Sequence, residues 1–297
     1  MRWNRDESDE NVEDRRDETG GGGGGFSGGG MKLGIGGIIV VGLLSLVFRR
    51  NFFAVLETGG PGPASSSVSH TGPRAPAAPR AHDPKEEERK KFVTFVLNDT
   101  QRTWTQILPK SGKQYRNAHL VLFRDAISSA CGNAESSSGP FYCPGDQKVY
   151  IDLGFYDELA RKFGAPGEFA QAYVIAHEIG HHVQNLTGIE AKVRQQQQSH
   201  PDRVNQLSVR LELQADCFAG VWGNSAKKEG ILDPGDLESG LNAASAIGDD
   251  RLQKMARGRV SPDSFTHGSS RQRVEWFRKG FDAGNPSACD TFRAPRL

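Results

Sequence analysis

The chain has 297 residues, enough for one or two domains with a sizeable core. Its 37 Lys and Arg nearly balance 36 Asp and Glu, a formal net charge of +1, so it lacks the basic footprint of a nucleic-acid-binding protein. The balance hides an uneven distribution along the chain, and that distribution sets the reading of its parts.

Residues 1–18 hold eight acidic and four basic side chains, and "TGGGGGGFSGGG" follows at 19–30. Such a stretch buries too little apolar surface to offset the entropy lost on ordering, so residues 1–30 are expected to be a disordered acidic and Gly-rich leader. "LGIGGIIVVGLLSLVF", Leu33–Phe48, is free of charge and bracketed by Lys32 and by Arg49 and Arg50. A helix of that length spans about 24 Å, slightly less than a hydrocarbon core of roughly 30 Å. Snorkelling of the flanking basic side chains and the apolar "FFAVL" at 52–56 make up the difference. Residues 31–56 are therefore expected to form one transmembrane helix with its flank, in contact with the lipid bilayer through 33–48. A cleaved signal peptide fits less well: its charged region would be thirty residues long and acidic, and no A-x-A site follows. Residues 57–84 contain 19 Gly, Pro, Ala or Ser in 28 positions, the composition of a tether. From residue 85 to 297 the composition is that of one globular domain.

Within that domain, "PKEEERKKFVTFVLNDTQRTWTQILPK" places acids in a first turn and Phe92, Val96, Trp104 and Leu108 on one face, the pattern of a helix. "HLVLF" at 119–123 reads as a short buried strand. "GPFYCPGDQKVYIDLGF" reads as a strand, a turn at Pro144, Gly145 and Asp146, and a second strand over Val149–Leu153. "FYDELARKFG" is a short helix ended by Gly164, and residues 167–186 form a longer one stopped by Thr187 and Gly188. Further helices are expected at about 201–227, 234–256 and 268–282. A small mixed sheet followed by a mainly helical half is an α+β layout.

All four cysteines, Cys131, Cys143, Cys217 and Cys289, follow the expected anchor, and their spacing matches no zinc knuckle. An even count suggests two disulfides in an oxidising compartment. Of the three pairings, Cys131–Cys143, which closes a Ser/Gly-rich loop, together with Cys217–Cys289 is preferred. Four reduced cysteines in a cytosolic core are the alternative.

The chemistry is concentrated in "AYVIAHEIGHHVQNLTG", residues 172–188. Helical residues four apart differ by about 40° in azimuth, so His177 and His181 can bind one zinc ion. Glu178, offset by about 100°, stands beside the metal, where it can take a proton from zinc-bound water. Gly180 lets another element approach closely. His182 points the wrong way for the same metal and reads as a structural histidine. A catalytic zinc needs a third protein ligand, and "SVRLELQADCFAGVW" offers Glu212 in an apolar-rich stretch where an unpaired carboxylate is costly. Asp216, one turn on, is placed to accept the second N–H of a ligating histidine. An ion pair of these acids with Arg210 or another arginine is the competing reading.

With these residues in view, H-E-x-x-H followed by E-x-x-x-D resembles the gluzincin metallopeptidases. The acidic start, the Gly-rich stretch, "AHEIGHHVQNLTG", "LELQADCFAGVW" and "THGSSRQRVEWF" are similar, over nearly the whole chain, to the bacterial "putative neutral zinc metallopeptidase" family. The resemblance implies a zincin-like domain, one zinc ion per chain held by His177, His181 and Glu212, and Glu178 as base. The expected anchor places the chain in a bacterial inner membrane as a single-pass protein, with the cysteines favouring a catalytic domain on the extracytoplasmic side. Membrane gluzincins carry a T-H-P segment with an arginine six residues after its histidine. Here "THGSSRQR" keeps His267 and Arg273 but has Gly268 in place of proline. By that resemblance His267 or Arg273 stabilises the oxyanion. The alternative is a helix cap by His267 and an ion pair of Arg273 with Asp216 or Glu275. The expected function is peptide hydrolysis on a peptide or protein substrate bound along Val149–Leu153 or Phe141–Cys143. A zinc-dependent amide or ester hydrolase, or a catalytically silent zinc-stabilised binding domain, are the rivals.

Overall fold

Asp83 caps the first long helix, α1 (Pro84–Ile107), by accepting from the Lys85 N–H, and Pro84 occupies the first turn, where its missing N–H is harmless. The computed structural model describes residues 1–18, 83–136, 139–295 and 297. Phe92, Val96 and Trp104 of α1 and Leu108 just beyond it are buried, as the sequence pattern requires.

Four strands form one sheet in the order β1 (Val12–Asp14), β2 (His119–Phe123), β6 (Lys148–Asp152), β5 (Phe141–Cys143). β1, β2 and β6 run parallel, and β5 closes the sheet antiparallel to β6. A hairpin, β3 (Ala126–Ser129) and β4 (Gly132–Glu135), lies apart from this sheet. Side chains alternate between faces with period two. Leu120, Leu122, Val149 and Ile151 join the main core, while Val121, Phe123 and Tyr150 pack with Ile127 of the hairpin and with Cys143. The Cys131–Cys143 disulfide ties the hairpin turn to the edge strand, and Cys217–Cys289 forms the second bridge; no described cysteine is free.

The remainder is helical: α2 (Phe155–Arg161), α3 (Glu168–Thr187), α4 (Ile189–Ser199), α5 (Val204–Lys228), α6 (Asp236–Ala246), α7 (Asp249–Arg257) and α8 (Ser270–Ala283). Ser269 and Gln272 form a reciprocal capping box at the start of α8. α5 and α8 cross in close contact, because a Cβ at Gly220 would stand 2.0 Å from the Phe277 carbonyl oxygen and one at Gly280 would stand 1.9 Å from that of Cys217. Phe169 of α3 stacks on Trp222 of α5 and meets Phe277 of α8 edge-on, joining the three helices in one core.

Several sequence expectations are corrected here. Residues 1–18 belong to the fold. β1 pairs with β2, Trp3 packs edge-on against Phe92 at 5.3 Å, and Arg16 is buried among Asp14, Glu86 and Glu87. The charges that made this segment look solvated are paired with distant residues, as Glu13 is with Lys148 at 2.6 Å. No helix among the described residues is long and apolar enough to cross a membrane. The stretch 33–48 on which an anchor was expected, the rest of the expected leader (19–30) and the tether up to residue 82 lie outside the described residues. One crossing there would put β1 and β2 on opposite sides of a bilayer, yet they are neighbours in one sheet. The fold class is therefore α+β, a small mixed sheet with mostly helices, and the single-pass location in an inner membrane is withdrawn. β6 lies inside the sheet between β2 and β5, which leaves β5 as the edge of the two strands expected to receive substrate. The helix expected at 234–256 is two, α6 and α7. The first residue of α8 abuts the junction, where a Cβ at Gly248 would stand 2.3 Å from the Ser270 nitrogen.

Replacing Gly280 by Ala forces a methyl group into the Cys217 backbone. The substitution is expected to lower unfolding free energy by about 1–3 kcal/mol, read from urea unfolding. Gly112→Ala, at an open position with φ 72°, tests strain without crowding and should cost less.

Candidate metal centre

The motif helix α3 and the long helix α5 are brought together by Gly180, where a Cβ would stand 3.0 Å from the Ala215 carbonyl oxygen. That approach sets Glu212 and Asp216 of α5 against His177 and His181 of α3. His177 Nε2 lies 3.2 Å from His181 Nε2 and 3.2 Å from Glu212 Oε2, and His181 Nε2 lies 3.5 Å from Glu212 Oε1. One ligand atom from each of the three residues falls within 4.8 Å of the others, close enough to hold one metal ion.

The hydrogen-bond partners assign the protons. His177 Nδ1 is 2.8 Å from Asp216 Oδ1, and a carboxylate only accepts, so Nδ1 carries the hydrogen. His181 Nδ1 is 2.9 Å from Gln184 Oε1, whose orientation is fixed because Gln184 Nε2 donates to the Leu211 carbonyl at 2.7 Å. Both rings therefore turn bare Nε2 lone pairs toward each other and toward the Glu212 carboxylate. Converging lone pairs repel one another unless a cation sits among them, so this donor set fits a metal. Two imidazoles and a carboxylate suit zinc.

The electrostatics agree. Burial disfavours a charged His177, but Asp216 and Glu212 outweigh it and push its pKa up to about 10. The site thus calls for positive charge, supplied by a proton or by a divalent cation. Burial works against the Glu212 carboxylate, yet His181, His267 and His177 hold it well below the usual range.

Behind the ligands, Asp216 is fully enclosed. Arg273 of α8 donates to it twice, from Nε to Oδ2 and from Nη2 to Oδ1, both at 2.8 Å, and the Tyr173 hydroxyl donates to Oδ1. Arg273 Nη1 meets the Ile247 carbonyl at 3.3 Å, so all three guanidinium nitrogens are engaged inside the fold. This corrects the idea that Arg273 meets an oxyanion: it holds Asp216. The ion pair with Asp216 is formed, while Glu275 pairs with Arg271.

Glu178 is buried beside the ligands. Burial raises its pKa, opposed by His177, His181 and the peptide N–H of Tyr142 in β5. The edge strand β5 is tied to the same helix, α3, by Tyr142, whose hydroxyl lies 2.9 Å from His182 Nδ1 and accepts from Asn185 Nδ2 at 2.8 Å. His267 does not cap α8, whose N-cap is Ser269. Its loop is held by Asp249, whose Oδ2 accepts from the backbone nitrogens of Thr266, His267 and Gly268 at 2.7, 2.7 and 3.0 Å. The His267 ring lies 3.4 Å from Asp249 Oδ1. Tyr173, Gln184 and Asp249 were not picked out from the sequence. Gln184 and Tyr173 lie at i+3 and i−4 from ligands on the same helix, a signal that could have found them; Asp249 carries none. The disulfides take no part in the cluster, though Gln214 reaches the Cys289 carbonyl at 2.9 Å.

The fold is α+β, and its His-His-Glu cluster across two helices, with the Glu178 carboxylate beside it, could hold one metal ion. The family assignment follows on independent grounds. The chain matches the family described as "Putative neutral zinc metallopeptidase" over residues 1–292, and it belongs to that family. It is 50% identical over 297 residues to YpfJ of Escherichia coli (strain K12), covering 98% of this chain and 99% of that one. It is 41% identical over 216 residues to Rv2575 of Mycobacterium tuberculosis (strain ATCC 25618 / H37Rv), covering 69% and 71%. Both are designated uncharacterized proteins. No solved structure matches the chain.

Asp216→Ala leaves the Arg273 guanidinium, 3% exposed, without its counter-charge. Stability is expected to fall by about 3–5 kcal/mol, as for other broken buried pairs. Chemical denaturation should also show Asp216→Ala with Arg273→Met losing less than the sum of the two single changes.

Proposed function

We propose that the protein is a zinc metallopeptidase, with one zinc ion held by His177 Nε2, His181 Nε2 and the Glu212 carboxylate. The observation that carries this reading is the convergence of those three donors beside the buried Glu178 and the edge strand β5. A purely structural zinc is normally closed by four protein ligands; three donors next to a base suit catalysis.

Zinc bound there supplies a Lewis acid that makes water nucleophilic near neutral pH and polarises a carbonyl. Glu178 takes a proton from the attacking water and returns it to the leaving amine, a role its raised pKa suits. Asp216, held by Arg273 and Tyr173, keeps the proton of His177 on Nδ1 and so keeps Nε2 free for the metal. His267, fixed by Asp249 and close enough to depress the Glu212 pKa, is the group in this account that meets the oxyanion of the tetrahedral intermediate. The outer edge of β5 offers backbone N–H and C=O groups to an extended peptide.

The test is metal content and turnover of the full chain. Wild type should hold one zinc per chain and cleave unfolded casein, and EDTA should abolish cleavage. Glu212→Gln should lose most of the zinc. Glu178→Gln should keep the zinc and lose about 10²-fold or more in kcat. A folded wild type without zinc would sink the proposal. Zinc retention with equal turnover by wild type and Glu178→Gln would leave a binding domain.

A further inference from the structure

Three side chains next to the metal donors have no part in holding the ion: His182, Asn185 and Tyr142. His182 follows the donor His181 directly, yet it faces away from the ion site and is 0% exposed. Its Nε2 lies 2.7 Å from the Arg116 carbonyl oxygen, which can only accept, so Nε2 carries the hydrogen. Nδ1, 2.9 Å from the Tyr142 hydroxyl, is then the acceptor, and Tyr142 donates to it. Asn185 Nδ2 donates to the same Tyr142 oxygen at 2.8 Å. The relay from Asn185 through Tyr142 and His182 to Arg116 gives every donor an acceptor. It links α3 to the middle residue of β5 and to the segment that enters β2. The rings of Tyr115 and Tyr142 stand edge-on to the imidazole at 5.5 and 5.4 Å, filling the space around it.

The relay matters because of where β5 lies. The strand has three residues and is paired on one side only, by β6. So short an edge gains little stability from its ladder alone. Tyr142 is its central residue, and its hydroxyl is tied to His182 and Asn185 of the helix that carries Glu178. Cys143, next in the strand, is tied to Cys131. The edge is thus fastened twice, once to the hairpin by the disulfide and once to the motif helix by the relay. The relay joins this edge to the helix that carries His177, Glu178 and His181.

We infer that His182, Tyr142 and Asn185 are positioning residues for peptide binding, holding the outer edge of β5 in register with the zinc donors and Glu178. The inference rests on the metallopeptidase reading. An extended peptide pairing with β5 would present its carbonyl where Glu178 and the metal meet, and the register of that pairing is set by the relay. Loss of the relay therefore loosens peptide binding and leaves zinc in place.

The test compares two zinc chelators on the zinc-loaded full chain by calorimetry: acetohydroxamate, which reaches only the metal, and a dipeptide hydroxamate, which also reaches β5. Tyr142→Phe keeps the ring and removes the hydroxyl. It should weaken the dipeptide hydroxamate about five- to tenfold, leave acetohydroxamate within about twofold, and leave zinc content unchanged. Hydrogen exchange at the Tyr142 and Cys143 amides should quicken in the same variant. His182→Ala should act in the same direction and more strongly. His182→Gln, able to donate to Arg116 and accept from Tyr142, should recover part of the loss. Unchanged affinity of Tyr142→Phe for the dipeptide hydroxamate, or equal weakening of both chelators, would overturn the inference. A wild type that holds no zinc and binds neither chelator would instead overturn the metallopeptidase reading and this role with it.

Discussion

The Asp216 carboxylate receives the Tyr173 hydroxyl, the Nδ1–H of His177 and two N–H groups of Arg273, so helices α3, α5 and α8 meet at one buried charge. A carboxylate removed from water is tolerable only when it is surrounded in this way. That requirement fixes three things together. It sets the register of α8 against α5, the rotation of α3 that carries its two histidines, and the ring nitrogen of His177 that remains free. The candidate metal donors are thus products of a structural constraint that would exist without them.

Close backbone packing makes the arrangement possible. Gly180 brings α3 onto α5 at Ala215, and Gly220 and Gly280 bring α5 onto α8. Larger residues at these positions would push the helices apart and move His177, Glu212 and Arg273 beyond mutual reach. The sheet contributes its edge. β6 is enclosed by β2 and β5, so β5 alone lies beside Glu178 with one side of its ladder free. The rigid helical layer and the strand are joined through Tyr142 and His182.

Much of the candidate metal centre could be read from the chain because its geometry is local. His177 and His181 are one helical turn apart, as are Glu212 and Asp216, and helix periodicity alone aligns each pair. The acids stood out because they interrupt an apolar stretch. The two disulfides were legible in part, since Cys131 and Cys143 close a short loop that leaves one pairing for the rest. What escaped is non-local. β1 has three residues, and its partners Leu120 and Lys148 lie more than a hundred positions away, so its charges looked solvated. The apolar run 33–48 invited a membrane anchor because nothing near it shows that the segments on either side share one sheet. The hairpin β3–β4 is held by packing of Ile127 against Phe123 and Tyr150, which no local pattern announces. Arg273 was open in the sequence between an oxyanion role and an ion pair, and only the meeting of α8 with α5 selects Asp216 as its partner; Asp249 gave no sign of holding the loop that carries His267.

The proposed ligand set is tested most directly by X-ray absorption at the zinc edge on the metal-loaded full chain. A first shell of nitrogen and oxygen at about 2.0–2.2 Å is expected, with the outer-shell scattering of two imidazole rings and no sulfur. A shell containing sulfur, or one of oxygen alone without imidazole scattering, would contradict it.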